Sequence, residues 1–408
     1  MPKPLKSLSL GRTFDRLWSA SATSNFADGV MGTAAPLLAV SLTRNPLIIA
    51  MFGAIGSVSW LFFAVPIGAL ADRVDRGQAL TLVNAIRFVL FAVAVLAIVF
   101  SKLTLPLLFL LTFIVGICEV FVDTTTQAVL PMVLEPEQFE AGNARMSLTE
   151  SVIQTFVGAP LGSFLFAASV ALPFAIGTVG YLLAAVFIFA MVLSGHHPLK
   201  ADRGTERPHF MEDLKSGLQY LAGHRLLRGI VAYTSFAYVL FNIAHATLTL
   251  FVLDTMGVPP AWFGVAMSVG GIGYAAGAAL ATRVSAALGR GRAMAWCMTI
   301  SAVCTFAEGL APNIWVLSII GVVSSCTIAI WNILLMACYQ VLIPTELFGR
   351  VHGARRTFVW GLGPIGAVIG GSLASFGLRV PILVGGVAIM AVTVASHGWL
   401  VRFGDSTV

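Results

Sequence analysis

Charge is what this sequence has least of. Only 10% of its 408 residues are Asp, Glu, Lys or Arg, against 58% hydrophobic, whereas an ordinary soluble domain carries about a quarter charged residues. So little charge argues against the two or three water-soluble domains that the length alone suggests. Cysteine is scarce too. Cys118, Cys297, Cys304, Cys326 and Cys338 all fall inside apolar runs, are odd in number and show no C-x-x-C spacing, so they read as packing residues, not as a disulfide framework or a zinc site. The adjacent His196 and His197 have no further ligands beside them in the sequence and read as loop residues, so no metal and no cofactor is expected. A cleavable secretory signal is also missing. After "MPKPLKSLSLGRTFDRLW" the first apolar run is too long and has no small-residue cleavage site, which makes it a retained membrane helix.

What the chain does have is long apolar runs. Twelve segments of roughly 20 or more mostly apolar residues are bounded by charged or Pro/Gly-containing breaks, with approximate limits 17–43, 47–71, 78–101, 105–133, 142–168, 173–194, 226–253, 261–284, 293–311, 314–342, 350–376 and 381–402. A bilayer core offers no water to open backbone, so each reads as a transmembrane helix. With the N-terminus in the cytoplasm, 20 of the 24 Lys and Arg fall on cytoplasmic segments, Arg44, Lys102 and Arg379 on the other side, and Arg87 within a span. That asymmetry follows the positive-inside rule. Both termini are expected in the cytoplasm, and the net charge of +6 reports topology, not nucleic-acid binding.

One long polar connection, 195–225, separates an N-terminal six-helix half (1–194) from a C-terminal half (226–408). Within it Phe210, Leu214, Leu218 and Leu221 follow the spacing of an amphipathic helix. The halves echo one another. "LADRVDRGQAL" (Leu70–Leu80) returns as "LATR" (Leu280–Arg283) followed by "GRGRAM". "NAR" (Asn143–Arg145) returns as "GAR" (Gly353–Arg355), and Pro160-Leu161-Gly162 as Pro364-Ile365-Gly366. Internal repeats of this kind are how many transporters are built. The expected fold is an all-α integral membrane protein of twelve helices in two pseudo-symmetric six-helix halves. "GLGPIG" (Gly361–Gly366) matches the dinucleotide-binding spacing, but it lacks the strand and βαβ unit that motif requires. Gly366 and Gly370 read instead as a close-packing face of a membrane helix.

Gly68-x-Leu70-Ala71-Asp72-Arg73-x-x-Arg76 resembles the signature between helices 2 and 3 of the major facilitator superfamily, with Asp75 where that family usually shows Gly. The resemblance covers nearly the whole chain. "SNFADGV", "EVFVDTTTQAVLP" and "ELFGRV" are similar to the branch that includes enterobactin exporters and macrolide efflux proteins. Gly158, Pro160 and Gly162 resemble, in altered order, the glycine-proline motif of the superfamily's antiporters. The resemblance implies a secondary transporter in a bacterial cytoplasmic (inner) membrane, monomeric, exporting a small amphiphilic molecule by proton antiport and alternating access. Uptake, or movement of a lysolipid, on the same fold is the alternative. A non-transporting scaffold or sensor is the alternative of another class, and no enzymatic nucleophile or cofactor motif emerges.

Ionisable side chains at mid-bilayer cost about 2.5–3.5 kcal/mol on insertion scales, so each needs a partner, water or a task. Asp28 shares a helix face with Ser21, Ser24 and Asn25. Desolvation in general favours a carboxyl's neutral form, and a proton-coupled carrier needs a group that takes and releases a proton. Glu119, Asp123 and Gln127 form a stripe on helix 4, and Asn143, Ser147, Glu150 and Gln154 another on helix 5. Helix 7 carries Ser235, Tyr238, Asn242, His245 and Thr249, with Asn242 and His245 matching Asn25 and Asp28 in the repeat. The proton-coupling candidates are Asp28, Glu119, Glu150 and His245. The cavity candidates are Asn25, Tyr238, Asn242, Trp331, Asn332 and Trp360. Arg87 requires an acidic partner, for which Glu119 lies at a comparable depth.

Gly68, Asp72, Arg73, Arg76 and Asp123 are read as a conformational latch. By family analogy Asp72 faces the N-terminal end of helix 11, where helix dipoles favour an acid, while Arg73 or Arg76 reaches Asp123. Asp72→Asn is therefore expected to shift the population towards the inward-facing state. Engineered cysteines on the cytoplasmic side should react faster with a membrane-impermeant thiol reagent, and an unchanged labelling rate would sink the latch.

Overall fold

The computed structural model describes residues 10–71, 73–135, 138–194, 219–344 and 347–406. These residues form an all-α membrane protein of twelve long helices. They are α1 (Arg12–Leu42), α2 (Pro46–Ala71), α3 (Arg76–Val99), α4 (Leu105–Val133), α5 (Phe139–Thr149, a π-helical stretch Glu150–Gly158, then Ala159–Ala168) and α6 (Ala171–Leu193). They continue with α7 (Arg225–His245, Leu248–Leu250 and π-helical Phe251–Thr255), α8 (Pro260–Leu288), α9 (Arg290–Leu310), α10 (Ile314–Leu342), α11 (Phe348–Gly361 and Gly363–Leu373, closing in a 3-10 turn Ala374–Phe376) and α12 (Val380–Asp405).

Eleven stretches of the described residues are long and apolar enough to cross a membrane. The remaining helix, α1, is 31 residues long, which at 1.5 Å per residue is about 46 Å, but it carries Arg12, Asp15, Arg16 and Asp28. It begins five residues before the expected limit of 17, and the reason is packing. Phe14 and Leu17 in its first turns are buried against Val129, Leu130 and Ile188, so the helix is held by core contacts where its composition is polar.

Side chains fix several helix starts. Asp75, the departure from the family signature, is the N-cap of α3: its carboxylate accepts from the backbone N–H of Gln78 at 3.0 Å. Asn313 does the same for α10 from the N–H of Val316 at 3.1 Å. Such caps satisfy N–H groups that a helix leaves open.

Glycine sets how closely the helices approach. A Cβ on Gly29 would overlap the Gln154 backbone, one on Gly158 would stand 2.9 Å from Gly29 Cα, and one on Gly162 would overlap Val30 and crowd the Thr33 hydroxyl. Thus α1 and α5 pass backbone to backbone. Around this crossing α5 takes its π-helical form just before Pro160, whose ring excludes the regular hydrogen bond four residues back. The second copy repeats the device, since Gly366 and Gly370 place α11 against Val239, Asn242, Ile243 and Ala246 of α7. The repeat is visible in helix pairing as well: α3 packs along α6, and α9 along α12.

The chain divides into two compact units, one of Met1–Ala35 with Phe62–Glu206 and the other of Pro36–Leu61 with Arg207–Val408. Residues 36–61 join the second unit through α11. A Cβ on Gly371 would stand 3.0 Å from Leu47 Cα, and Trp60 meets Trp360 edge to face at 5.6 Å between ring centres. The second unit's core gathers Ile230, Met294, Cys338, Tyr339 and Leu400, all essentially inaccessible.

Gly29→Ala is expected to lower the apparent Tm of the detergent-purified protein, since overpacking costs about 1–3 kcal/mol. Gly53→Ala, where a Cβ meets nothing within 4 Å, is the control. Equal thermal midpoints for the two variants would contradict the close crossing.

Candidate transport sites

The first unit holds a polar cavity of about 440 Å3. The α1 stripe Ser21, Ser24, Asn25 and Asp28 forms one wall, Asp123 and Gln127 of α4 another, and Asn143, Ser147 and Glu150 of α5 a third. Steps of three and four residues aim each set one way, so the sequence stripes converge on one space. Glu150 opens the π-helical stretch. Glu119 does not line this cavity.

Arg87, from the middle of α3, is fully buried at the cavity's edge. Its guanidinium forms an ion pair with the Asp28 carboxylate and donates to the Ser24 hydroxyl at 3.0 Å. The Tyr181 hydroxyl of α6 donates to the same Asp28 oxygen at 2.7 Å, while the Arg87 guanidinium lies over the Tyr181 ring at 4.2 Å. The partner of Arg87 is therefore Asp28 and not Glu119, although Glu119 lies within electrostatic range of both. Three donors, from Ser24, Arg87 and Tyr181, converge on the Asp28 carboxylate, and the arginine that pairs with it stacks on an aromatic face.

Asp72 lies outside the described residues. A Cβ on Gly68 would meet nothing within 4 Å, and Arg73 is exposed. Arg76 reaches the end of α4, donating to the Ala128 carbonyl at 3.3 Å and to Met132 Sδ at 3.1 Å. Asp123 faces the polar cavity. His196, His197, Phe210, Leu214 and Leu218 also lie outside the described residues, whereas Leu221 is buried in the second unit's core.

The second unit holds a cavity of different chemistry, about 450 Å3. Its walls are aromatic: Tyr233 and Tyr238 of α7, Tyr274 of α8, Trp331 and Tyr339 of α10, and Trp360 of α11. Thr234, Ser301, Thr305, Asn332 and Arg355 add polar groups among them, with the Arg355 guanidinium over the Tyr339 ring at 4.8 Å. Of the residues expected to line a cavity, Tyr238, Trp331, Asn332 and Trp360 come together here. Asn25 is in the other unit's cavity. Asn242 turns its amide to the Tyr238 carbonyl at 2.8 Å and packs against the glycines of α11, so it serves a helix contact.

His245 does not open on this aromatic space. Its Nε2 stands 2.8 Å from a carboxylate oxygen of Glu308 on α9, its Nδ1 3.0 Å from the Phe241 carbonyl, and its ring stacks on Phe241 at 4.1 Å. Both partners line a smaller cavity of about 140 Å3. Glu308 does not stand out in the sequence because it lies three residues before the end of its run, 293–311, where a charge ordinarily reaches water. Tyr181 was missed as one hydroxyl in an apolar helix. In the sequence Arg355 stands out only as an echo of Arg145, whose side chain pairs with Asp15 at 3.2 Å and stacks on Trp18 at 4.1 Å.

A family model for the Major Facilitator Superfamily matches residues 17–365. The chain belongs to that superfamily. Solved structures with the superfamily chain's fold include the nucleoside transporter NupG (11% identity, TM-score 0.70, covering 96% of this chain and 98% of that one). A bacterial homologue of the iron transporter ferroportin, in an inward-facing state, is similar at 14% identity and TM-score 0.75, covering 98% and 100%. A bacterial homologue of the human lysosomal transporter Spinster is similar at 13% identity and TM-score 0.66, covering 98% of each chain. No curated protein matches the chain in sequence. This superfamily member is a secondary transporter that moves a small molecule across a membrane. No specific branch, neither siderophore nor macrolide efflux, is singled out by these likenesses.

The buried pair in the first unit makes a quantitative expectation. Removing one member of a buried ion pair strands the other and typically costs about 3–5 kcal/mol. Asp28→Ala and Arg87→Met should each lower the thermal midpoint, while the double variant Asp28→Ala/Arg87→Met recovers most of the loss. A double variant as unstable as the sum of the two singles would deny the coupling.

Proposed function

We propose that the protein is a proton-coupled carrier of a small amphiphilic molecule with a planar ring system. It acts as a monomer in a bacterial cytoplasmic membrane, with both termini in the cytoplasm, and exports its substrate in exchange for protons. The observation that carries this reading is the aromatic cavity of the second unit. Its volume of about 450 Å3 falls within the range of small-molecule sites, about 300–1,000 Å3, which pair an apolar lining with a few placed polar groups. Tyr and Trp faces accept flat rings by stacking, and their polar tips, with Asn332 and Arg355, supply hydrogen bonds. The wholly different polar cavity of the first unit, with Asp28, Asp123 and Glu150 on its walls, suits the movement of charge and water.

A second reading is uptake by proton symport. A solved structure of like fold is a nucleoside transporter, and a nucleoside also joins a planar ring to a polar group.

Proteoliposomes decide between these. With fluorescein and uridine as probes, a lumen more acidic than the bath drives accumulation by antiport, whereas symport requires the opposite gradient. Antiport of fluorescein is the expected outcome, and Trp360→Ala should weaken its half-saturation about tenfold, as loss of a central aromatic anchor does. Accumulation under the reverse gradient establishes uptake, and no movement of either probe under either gradient defeats the reading.

A further inference from the structure

The His245–Glu308 contact has a definite proton content. The Phe241 carbonyl only accepts hydrogen bonds, so the His245 Nδ1 facing it at 3.0 Å carries a hydrogen. The Nε2 edge stands 2.8 Å from Glu308 Oε2, and a bare nitrogen lone pair facing a carboxylate at that distance is repulsive. One proton must lie in the gap, either as imidazolium with carboxylate or as imidazole with carboxylic acid. In both forms the pair is neutral. Removing that proton leaves a net negative charge inside the membrane-embedded helices and opens the contact.

We propose that His245 and Glu308 form a proton-binding dyad that fills and empties in step with the aromatic cavity, a role that rests on the transport reading above. Three features of the second unit connect the two. Phe241, stacked on the His245 ring, is itself a wall of the aromatic cavity, as is Thr305, one turn before Glu308 on α9. The dyad therefore caps the aromatic space through one ring on α7 and one turn of α9. Immediately after His245, α7 loses its regular form at Ala246–Thr247 and resumes at Leu248, and the Thr247 hydroxyl is buried with no hydrogen-bond partner. Interrupted helices at a binding site are where transporters change shape. On its other side the dyad opens on the cavity of about 140 Å3 lined by Ser318 and Ser325, room for several waters to deliver a proton.

The other groups around the dyad leave the proton to this pair. The lining contributed by α8 and α10 has no titratable side chain, α12 presents Ile382 and Leu383 to Gly309, and α11 presents Gly370 to Ile243 and Ala246. Arg379 is the nearby cation, donating to the Gly309 and Ala311 carbonyls at 2.6 and 3.1 Å. The Cys304 thiol, four residues before Glu308, lies within its electrostatic range.

Nitrogen NMR of histidine-labelled protein in lipid nanodiscs, assigned with His245→Gln, tests the dyad without any substrate. The expected wild-type spectrum has a protonated Nδ1 and a strongly hydrogen-bonded Nε2 on His245, both altered in Glu308→Gln. A ring carrying its only proton on Nε2, or a His245 signal indifferent to Glu308→Gln, overturns the dyad. Coupling is read separately in proteoliposomes with fluorescein. Glu308→Gln should keep exchange at equal pH within about threefold of wild type yet lose gradient-driven accumulation by about tenfold or more, a coupling of ordinary size. Undiminished accumulation overturns the coupling. A wild type that moves no probe defeats the functional reading instead, and the NMR result then decides the dyad by itself.

Discussion

The constraint on which this molecule turns is that charge cannot stand alone in a lipid-solvated bundle. Burial of an ion costs several kcal/mol unless a partner and further hydrogen bonds offset it. The first unit meets the constraint with a cation on α3 and an acid on α1, locked by Ser24 and Tyr181. The second meets it with a base on α7 and an acid on α9. By the repeat α1 corresponds to α7 and α3 to α9, so both halves join the same two helices by charge with the signs exchanged. The exchange changes the chemistry: an arginine keeps its proton, while a histidine can give one up.

The backbone around the two pairs is adapted to the same end. Glycines bring α1 onto α5 and α7 onto α11 at distances no other residue permits, which fixes the helices that carry Asp28 and His245. Departures from regular helix follow at the same places, as a π-helical stretch in α5 and a break after His245 in α7. Rigid crossings beside irregular turns let a carrier hold its charged groups in register while keeping a small number of places that can bend.

The two cavities differ in chemistry. Alternating polar residues on α1, α4 and α5 build a polar, acidic space, whereas tyrosines and tryptophans from α7, α8, α10 and α11 wall the other. Similar volumes with opposite linings arise because the repeat conserves helix packing but not the residues that face inward. Fold and selectivity are thus separable, as expected of a superfamily whose scaffold serves many solutes.

Much of this was legible in the residues themselves. Long apolar runs must be spanning helices because lipid leaves the backbone no other way to satisfy its hydrogen bonds. Period and spacing placed Asp28, Glu150 and Tyr238 on polar stripes, whereas the sequence shows Asp75 only as a departure from the family signature and the structure makes it a helix cap. What spacing could not supply is which helix stands opposite which, since that depends on contacts distant in the chain. Hence Arg87 found Asp28, 59 residues away, instead of the acid at matching depth on α4. His245 found a glutamate near the end of α9, and seven aromatics from four helices line one cavity. The sequence by itself determined the solvent, the helices and the faces they present; only the tertiary structure decided the partners, because a buried charge is stabilised by whatever packing brings within hydrogen-bond reach.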